Sequence, residues 1–303
     1  MYCTLEKDGF IGTFYPGTRY KEKGIILVGG SGEKRQLVEK KAEILSKSGF
    51  SVLALGYYLW KPLSKNTVNI PLDYVENAID WLKNKCEVKI EKIGMTGISL
   101  GAQYTLLCAS YFKEISCIVP ISGFDFVVEG CKNMIIRQHK SYYSYHNQDV
   151  PYEKAESLSH IFSTLRKLRK NKEYTMKSMN RFYYNECFKQ RSDLSRIKVE
   201  NICANILLMS PKYDDTWPSD EAYIRIINKL KEVKYQYKYQ YKIYEKGSHL
   251  LAVPKEAIEL IGGEKKLQKI LSKFFTIEKK YPEECAKARL DSWNELIDFF
   301  KEW

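Results

Sequence analysis

The chain contains no apolar run approaching the roughly 18–20 residues that a membrane-crossing helix needs. Its first eight residues, Met1 to Asp8, lack the apolar stretch of a secretory signal. The closing Lys301-Glu302-Trp303 is not a peroxisomal Ser-Lys-Leu tail. Paired cysteines are missing too. Cys3, Cys86, Cys108, Cys117, Cys131, Cys187, Cys203 and Cys285 are scattered, with no Cys-x-x-Cys and no histidine at metal-ligand spacing beside them. That pattern argues against a zinc site or a disulfide framework. It predicts reduced thiols in a cytoplasmic protein, with no metal and no cofactor. Histidine is scarce, at four residues. Internal repeats, low-complexity tracts and linkers are absent.

The 303 residues carry 44% hydrophobic and 28% charged side chains, enough for a sizeable core and ordinary for a globular chain. The net charge of +12 would suit an anionic partner such as nucleic acid or a phosphate-bearing substrate. No nucleic-acid motif accompanies it, and most of the excess is Lys spread over helix faces that water would solvate anyway. The expectation is no nucleic-acid partner, no membrane span and a small-molecule substrate. The oligomeric state is left open.

From about residue 24 to 121 strand-like and helix-like segments alternate. Gly24–Gly29 is a short apolar run entering glycines, and Ser51–Leu55 and Lys92–Thr96 read as further strands. Between them, 34–48 has apolar residues at helical spacing up to Gly49, and Pro71 opens a helix with Val75, Ala78, Ile79 and Leu82 on one stripe. Residues 100–112 form a helix apolar on most sides, and Cys117–Ile121 is a fourth strand. Serial βαβ units predict an α/β fold, with a mostly parallel sheet flanked by helices. The alternation breaks over 124–198, rich in Tyr, Lys, Arg and Asn with weak helical periodicity, and we read this stretch as a cap inserted into a single domain spanning 1–303. It resumes with a strand at Asn205–Met209, a helix near 219–233, a strand at Tyr239–Tyr244 and an amphipathic helix near 284–302. Asp8-Gly9, between two short β-like stretches, suggests a leading hairpin.

Gly97-Ile98-Ser99-Leu100-Gly101 matches G-x-S-x-G between a predicted strand and a predicted helix, the setting of an α/β-hydrolase nucleophile elbow. Glycines flank the serine because Cβ atoms there would strike neighbouring backbone. The turn lifts the Ser99 hydroxyl to the top of the sheet and aims the Leu100 amide at a bound acyl oxygen. The plainer alternative is a tight βα turn with an incidental serine. A serine hydroxyl needs a base. His139, His146 and His160 lie in the insert, so only His249, after the last core strand, qualifies. A solitary histidine is more often an ordinary surface or core residue, and its position after Gly247 is what favours catalysis. The orienting acid should fall between serine and histidine, beyond the strand near 205–209. Asp214 and Asp215 both fit, and chain order alone does not separate them. A second oxyanion donor should come from Gly29-Gly30-Ser31-Gly32, through the Gly30 or Ser31 amide, unless these glycines merely form a βα turn.

With those residues assigned, the chain resembles the C-terminal catalytic domain of the acyl-CoA thioesterase / bile acid-CoA:amino acid N-acyltransferase family. The resemblance rests on Gly49–Tyr58, Ile70–Tyr74 with Ala78–Leu82, Ile93–Gly101, Asp214–Ser219, Gly247–His249 and Asp291-Ser292-Trp293 with the Phe-Phe pair that follows. It implies Ser99 as nucleophile, His249 as base and Asp214 as acid, since the family acid stands three residues before the tryptophan, here Trp217. Leu100 stands where a lysine is often found, and the 124–198 insert carries none of the motifs on which the resemblance rests. Amino-acid-conjugating members use cysteine, so serine leans toward hydrolysis.

The resemblance implies a serine hydrolase of an acyl thioester of the acyl-CoA type. Arg137, Lys140, Arg166 and Arg169 in the insert are candidates to meet CoA phosphates, against the plainer reading of a solvated charged cap. An esterase or peptidase-like hydrolase of the dienelactone-hydrolase kind, and an acyl-CoA:amino acid N-acyltransferase, are the rival enzymes. A binding protein on a hydrolase scaffold is the rival outside catalysis.

Overall fold

In the computed structural model the apolar segments assemble into one eight-stranded sheet. Residues 1–132, 136–155, 180–182, 184–185, 188 and 191–303 are described. The sheet strands in chain order are β1 (Tyr2–Cys3), β2 (Ile11–Tyr15), β3 (Tyr20–Val28), β4 (Phe50–Gly56), β5 (Lys92–Ile98), β6 (Ile115–Ile121), β7 (Asn205–Pro211) and β8 (Tyr239–Tyr244). Their order across the sheet is β1-β2-β4-β3-β5-β6-β7-β8. Strands β3 to β8 run parallel, and β1 and β2 are antiparallel additions at one edge. This is an α/β-hydrolase-type sheet. The chain steps outward from β3 to β4, then returns to the other side of β3 as β5. That reversal opens a crevice at the carboxyl ends of β3 and β5, where open α/β sheets bind ligands.

Five helices cover the sheet: α1 (Arg35–Ser46), α2 (Asp73–Asn84), α3 (Leu100–Tyr111), α4 (Ser219–Glu232) and α5 (Pro282–Glu302). Val75 of α2, Leu106 of α3 and Ile226 of α4 join one core cluster, on one face. Val38 and Leu45 of α1 and Phe299 and Phe300 of α5 join a second, on the other. Helix α3 buries every residue from Leu100 to Ala109. A helix apolar all round needs cover on all sides. Here the insert supplies it: Tyr143 Oη donates to Gln103 Oε1 at 2.8 Å, and Gln103 Nε2 donates to the Phe126 carbonyl at 2.6 Å.

Three local expectations are revised. Tyr2 and Cys3 do pair antiparallel with Thr13 and Gly12, but Asp8-Gly9 is not a two-residue turn. Leu5–Asp8 forms a short helix, with the Thr4 side chain accepting from Lys7 N–H and Asp8 accepting from Thr4 N–H at 2.9 Å, and Gly9 closes it in the left-handed region at φ 76°. Within the insert, short strands form at Glu129–Lys132, Ile136–Ser141, Tyr143–Tyr145 and Gln148–Asp149, while residues 180–182 and 184–185 are helical. The Tyr143–Tyr145 strand pairs in parallel with Ile70–Pro71. Between β8 and α5, three short helices appear that no sequence signal announced: Lys255–Leu260, Glu264–Leu271 and Thr276–Lys280. Among the described residues no helix is long and apolar enough to cross a membrane.

Candidate active site

Parallel pairing sets Val28 beside Gly97 and Gly97 beside Pro120, so β3, β5 and β6 end together. Ser99 sits just past β5 at φ 57°, ψ −121°, a region that side chains avoid, and caps α3. Its N–H donates to the Ile121 carbonyl at 2.8 Å, which holds the turn against β6. The glycine requirement is steric. A Cβ on Gly97 would meet Gly101 O at 2.5 Å, and one on Gly101 would meet Gly29 O at the same distance. Both obstacles are backbone, so neither can move aside. The first expected oxyanion donor, Leu100, is the first residue of α3 and has no intrahelical acceptor for its N–H.

Asp214 follows β7 and His249 follows β8. With its proton on Nδ1, the His249 ring donates to Asp214 Oδ1 and Oδ2 at 2.9 and 2.8 Å. Asp214 is fully buried and its carboxylate is well supplied with donors. Thr216 N–H reaches Oδ1 at 2.9 Å and Ser219 Oγ reaches Oδ2 at 2.5 Å. Asp215 is turned elsewhere, accepting from Thr276 N–H at 2.9 Å. The two aspartates that chain order left equivalent are therefore separated by geometry. His249 is sandwiched between Trp217, edge-on, and Phe275, stacked, each ring centroid 6.4 Å away. Trp217 Nε1 donates to the Ser122 carbonyl at 2.7 Å, one residue beyond the strand end that binds Ser99. Ser99, Asp214 and His249 thus share the carboxyl edge of the sheet. Among the described residues no hydrogen bond joins Ser99 Oγ to His249.

The β3 loop narrows the choice of second donor. Gly30 lies against the nucleophile turn, where an added Cβ would come within 3.5 Å of Ser99 Cβ. Its N–H, however, already donates to Glu33 Oε2 at 2.7 Å, and Lys41 neutralises that carboxylate from α1. Gly30 is thereby engaged. Ser31 is the loop amide left, with nothing accepting from its N–H among the described residues.

Other expected contacts fall differently. His139 pairs with Glu129 and His146 with Glu76, both away from the sheet edge, and His160 lies outside the described residues. Asp73, Glu76 and His146 bring one ligand atom each within 4.8 Å of one another, but this partly exposed group is internally hydrogen-bonded. Arg137 donates to the Ala155 carbonyl at 2.7 Å, while Arg166 and Arg169 lie outside the described residues. Two contributors had no legible role in the sequence. Ser219 supports the acid directly. Arg181, at the end of the insert, donates to the Asp214 carbonyl at 2.9 Å while gripping Asp220 and Glu221 of α4. Arg181 lies in 124–198, which carries none of the motifs on which the resemblance rests, and Ser219 closes the Asp214–Ser219 segment on which it does rest.

The family model described as BAAT / Acyl-CoA thioester hydrolase C terminal matches residues 70–303. Acyl-coenzyme A thioesterase 1 of Rattus norvegicus is 27% identical over 264 residues, covering 87% of this chain and 56% of that protein. Acyl-coenzyme A thioesterase 1 of Mus musculus is 40% identical over 87 residues, 29% of this chain and 21% of that one. The chain therefore spans little more than half the length of the rat protein. Among solved structures, a Pyrococcus horikoshii acylaminoacyl peptidase aligns with TM-score 0.54 at 12% identity, over 96% of this chain and 39% of its own. A putative dienelactone hydrolase from Klebsiella pneumoniae aligns with TM-score 0.52 at 13% identity, over 97% and 93%. At such identities these two speak for the fold alone.

Proposed function

The chain belongs to the BAAT / acyl-CoA thioester hydrolase C-terminal family, and from that membership we propose that it hydrolyses acyl-CoA thioesters through Ser99, Asp214 and His249. The observation that carries the proposal is the buried Asp214–His249 pair at the same sheet edge as the strained Ser99 turn. Asp214 accepts a hydrogen bond from Nδ1–H and keeps the proton on that nitrogen, which leaves Nε2 with the lone pair. His249 takes the Ser99 proton as Oγ bonds to the thioester carbonyl. The resulting oxyanion is met by the Leu100 and Ser31 amides, each good donor contributing roughly 3–4 kcal/mol. The C–S bond then breaks, the CoA sulfur leaves as thiol with the proton from His249, and an acyl-Ser99 ester remains. Water enters, loses a proton to His249 and bonds to the acyl carbon; the acyl–Oγ bond then breaks, Ser99 Oγ takes the proton back from His249, and the carboxylic acid is released.

Residues 124–198 act as a cap on a single domain in this reading, and the Arg181 contact with the Asp214 carbonyl supports that link. A cytoplasmic setting accords with seven free cysteines among the described residues. The discriminating experiment compares CoA release across acyl-CoA chain lengths with turnover of p-nitrophenyl esters, with and without glycine or taurine. Free acid and CoA in equal amounts, unaffected by glycine or taurine, is the expected result. Ester turnover without CoA release would favour the esterase reading, and an N-acyl amino acid would favour acyl transfer.

A further inference from the structure

Among the hydrogen bonds that tie the loop carrying His249 to groups outside the triad, four are buried or part-buried side-chain contacts. Tyr244 Oη donates to Asp291 at 3.0 Å, and Cys285 Sγ donates to the Lys246 carbonyl at 3.3 Å. Ser248 Oγ donates to Glu278. Ala252 N–H donates to Ser292 Oγ at 2.7 Å, and that hydroxyl donates in turn to Ala288 O at 2.6 Å. Ala252 needs holding, since it is a non-glycine residue at φ 49°. Three of these anchors stand on α5. They give the Asp291-Ser292 segment a task that the chemistry at Ser99 does not use.

The fourth anchor has a different character. Glu278 accepts from Ser248, the residue next to His249, and is paired with Arg289 of α5. Both charged side chains are fully buried. Arg289 also reaches Glu264, yet Arg289 Nε and Glu278 Oε2 have no hydrogen-bond partner. A buried ion pair with unmet polar atoms is a poor stabiliser, because desolvation offsets the attraction and apolar side chains of similar volume do as well or better. Stability alone is a weak reason for this pair. What the pair does supply is a fixed acceptor for Ser248 Oγ.

We propose that Glu278 and Arg289 are positioning residues for the general base: they fix the His249 backbone through Ser248. The inference rests on the reading of Ser99 and His249 as nucleophile and base. Small displacements of a base from its reacting proton are costly, with about 1 Å worth roughly a hundredfold. Cutting one of several ties should give part of that.

The test uses the full chain and measures kcat, KM and Tm on a short-chain acyl-CoA for four variants. Ser248→Ala removes the tie and keeps the ion pair. It should lower kcat by about tenfold, leave KM nearly unchanged and barely move Tm. Ser248→Thr, which keeps a hydroxyl, should restore most of kcat. Glu278→Leu with Arg289→Met should equal or exceed the native Tm and still lose kcat to the Ser248→Ala level. Full kcat in Ser248→Ala, or loss of kcat only in proportion to lost folded protein, would overturn the inference. Ser99→Ala separates the two claims. If it stays active, the underlying reading fails; if it is dead while Ser248→Ala is fully active, only the positioning claim fails.

Discussion

Replacing Asp214 by asparagine tests the base through its partner. The side chain would change by one atom, from oxygen to NH2, inside a fully buried site. Oδ1 faces Thr216 N–H, a fixed donor, while Oδ2 faces the Ser219 hydroxyl, which can rotate to accept. The amide nitrogen must therefore take the Oδ2 position. There it sets a donor 2.8 Å from His249 Nδ1, nearer than the retained Oδ1 at 2.9 Å. Imidazole answers by moving its proton to Nε2, and the lone pair that should face Ser99 is lost. A wrong tautomer in a serine triad costs about 10⁴ in kcat, or about 5.5 kcal/mol at 1.36 kcal/mol per decade. The assay is initial-rate CoA release from an acyl-CoA, with free CoA separated chromatographically and thermal unfolding measured alongside. The expected result is a kcat lower by about four decades with KM little changed. Asp215→Asn, whose carboxylate serves Thr276 instead, should fall by no more than a few-fold. A loss of less than tenfold in Asp214→Asn, or an equal loss in Asp215→Asn, would refute this account of the acid.

Gly97→Ala should destabilise the fold by about 2–3 kcal/mol in urea unfolding, as for overpacking against an obstacle that cannot relax, because its Cβ would sit 2.7 Å from Val28 Cγ2 as well as against Gly101. Burial pushes the Cys3 and Cys285 thiols up to about 12, with Asp8 adding to the first and Glu278 to the second. Iodoacetamide at pH 8 should therefore leave both unlabelled in the native protein and label both in urea, as peptide mass mapping would report. Burial outweighs Arg289 and raises the Glu278 carboxyl above its ordinary range. The native state then holds a proton that the unfolded chain has released, so this group's contribution to stability falls as pH rises from its unfolded pKa through its native one. Urea unfolding from pH 4 to 7 should show Glu278→Gln gaining on the wild type over that window, and parallel curves would contradict the sign.

The parts legible in the sequence were those set by local sterics or by chain order. Gly97 and Gly101 announced the elbow because backbone crowding there admits no Cβ. His249 emerged because the other three histidines lie in the insert. The alternation of short apolar runs with amphipathic segments foretold the sheet and α1, α2, α4 and α5, and α3 was legible as an apolar run following the elbow. The short helices between 255 and 280 were not foreseen. They are Lys- and Glu-rich, and their form comes from packing Leu267, Leu271 and Phe275 onto the core. Phe275 and Glu278, on or beside them, were hidden for the same reason. The choice of Asp214 over Asp215 needed either a family pattern or the three-dimensional contact with His249. The engagement of Gly30 by Glu33 depends on a side chain that a glycine-rich run says nothing about.

The claim at the centre is that the acyl group passes through Ser99. Rapid acid quench of the protein with an isotopically labelled acyl-CoA, followed by peptide mass mapping, tests it most directly. The account predicts an acyl adduct on the peptide containing Ser99, formed together with one equivalent of CoA per active site. Adduct and steady turnover should both vanish in Ser99→Ala. An adduct on another residue, or steady CoA release by Ser99→Ala at the native rate, would contradict it.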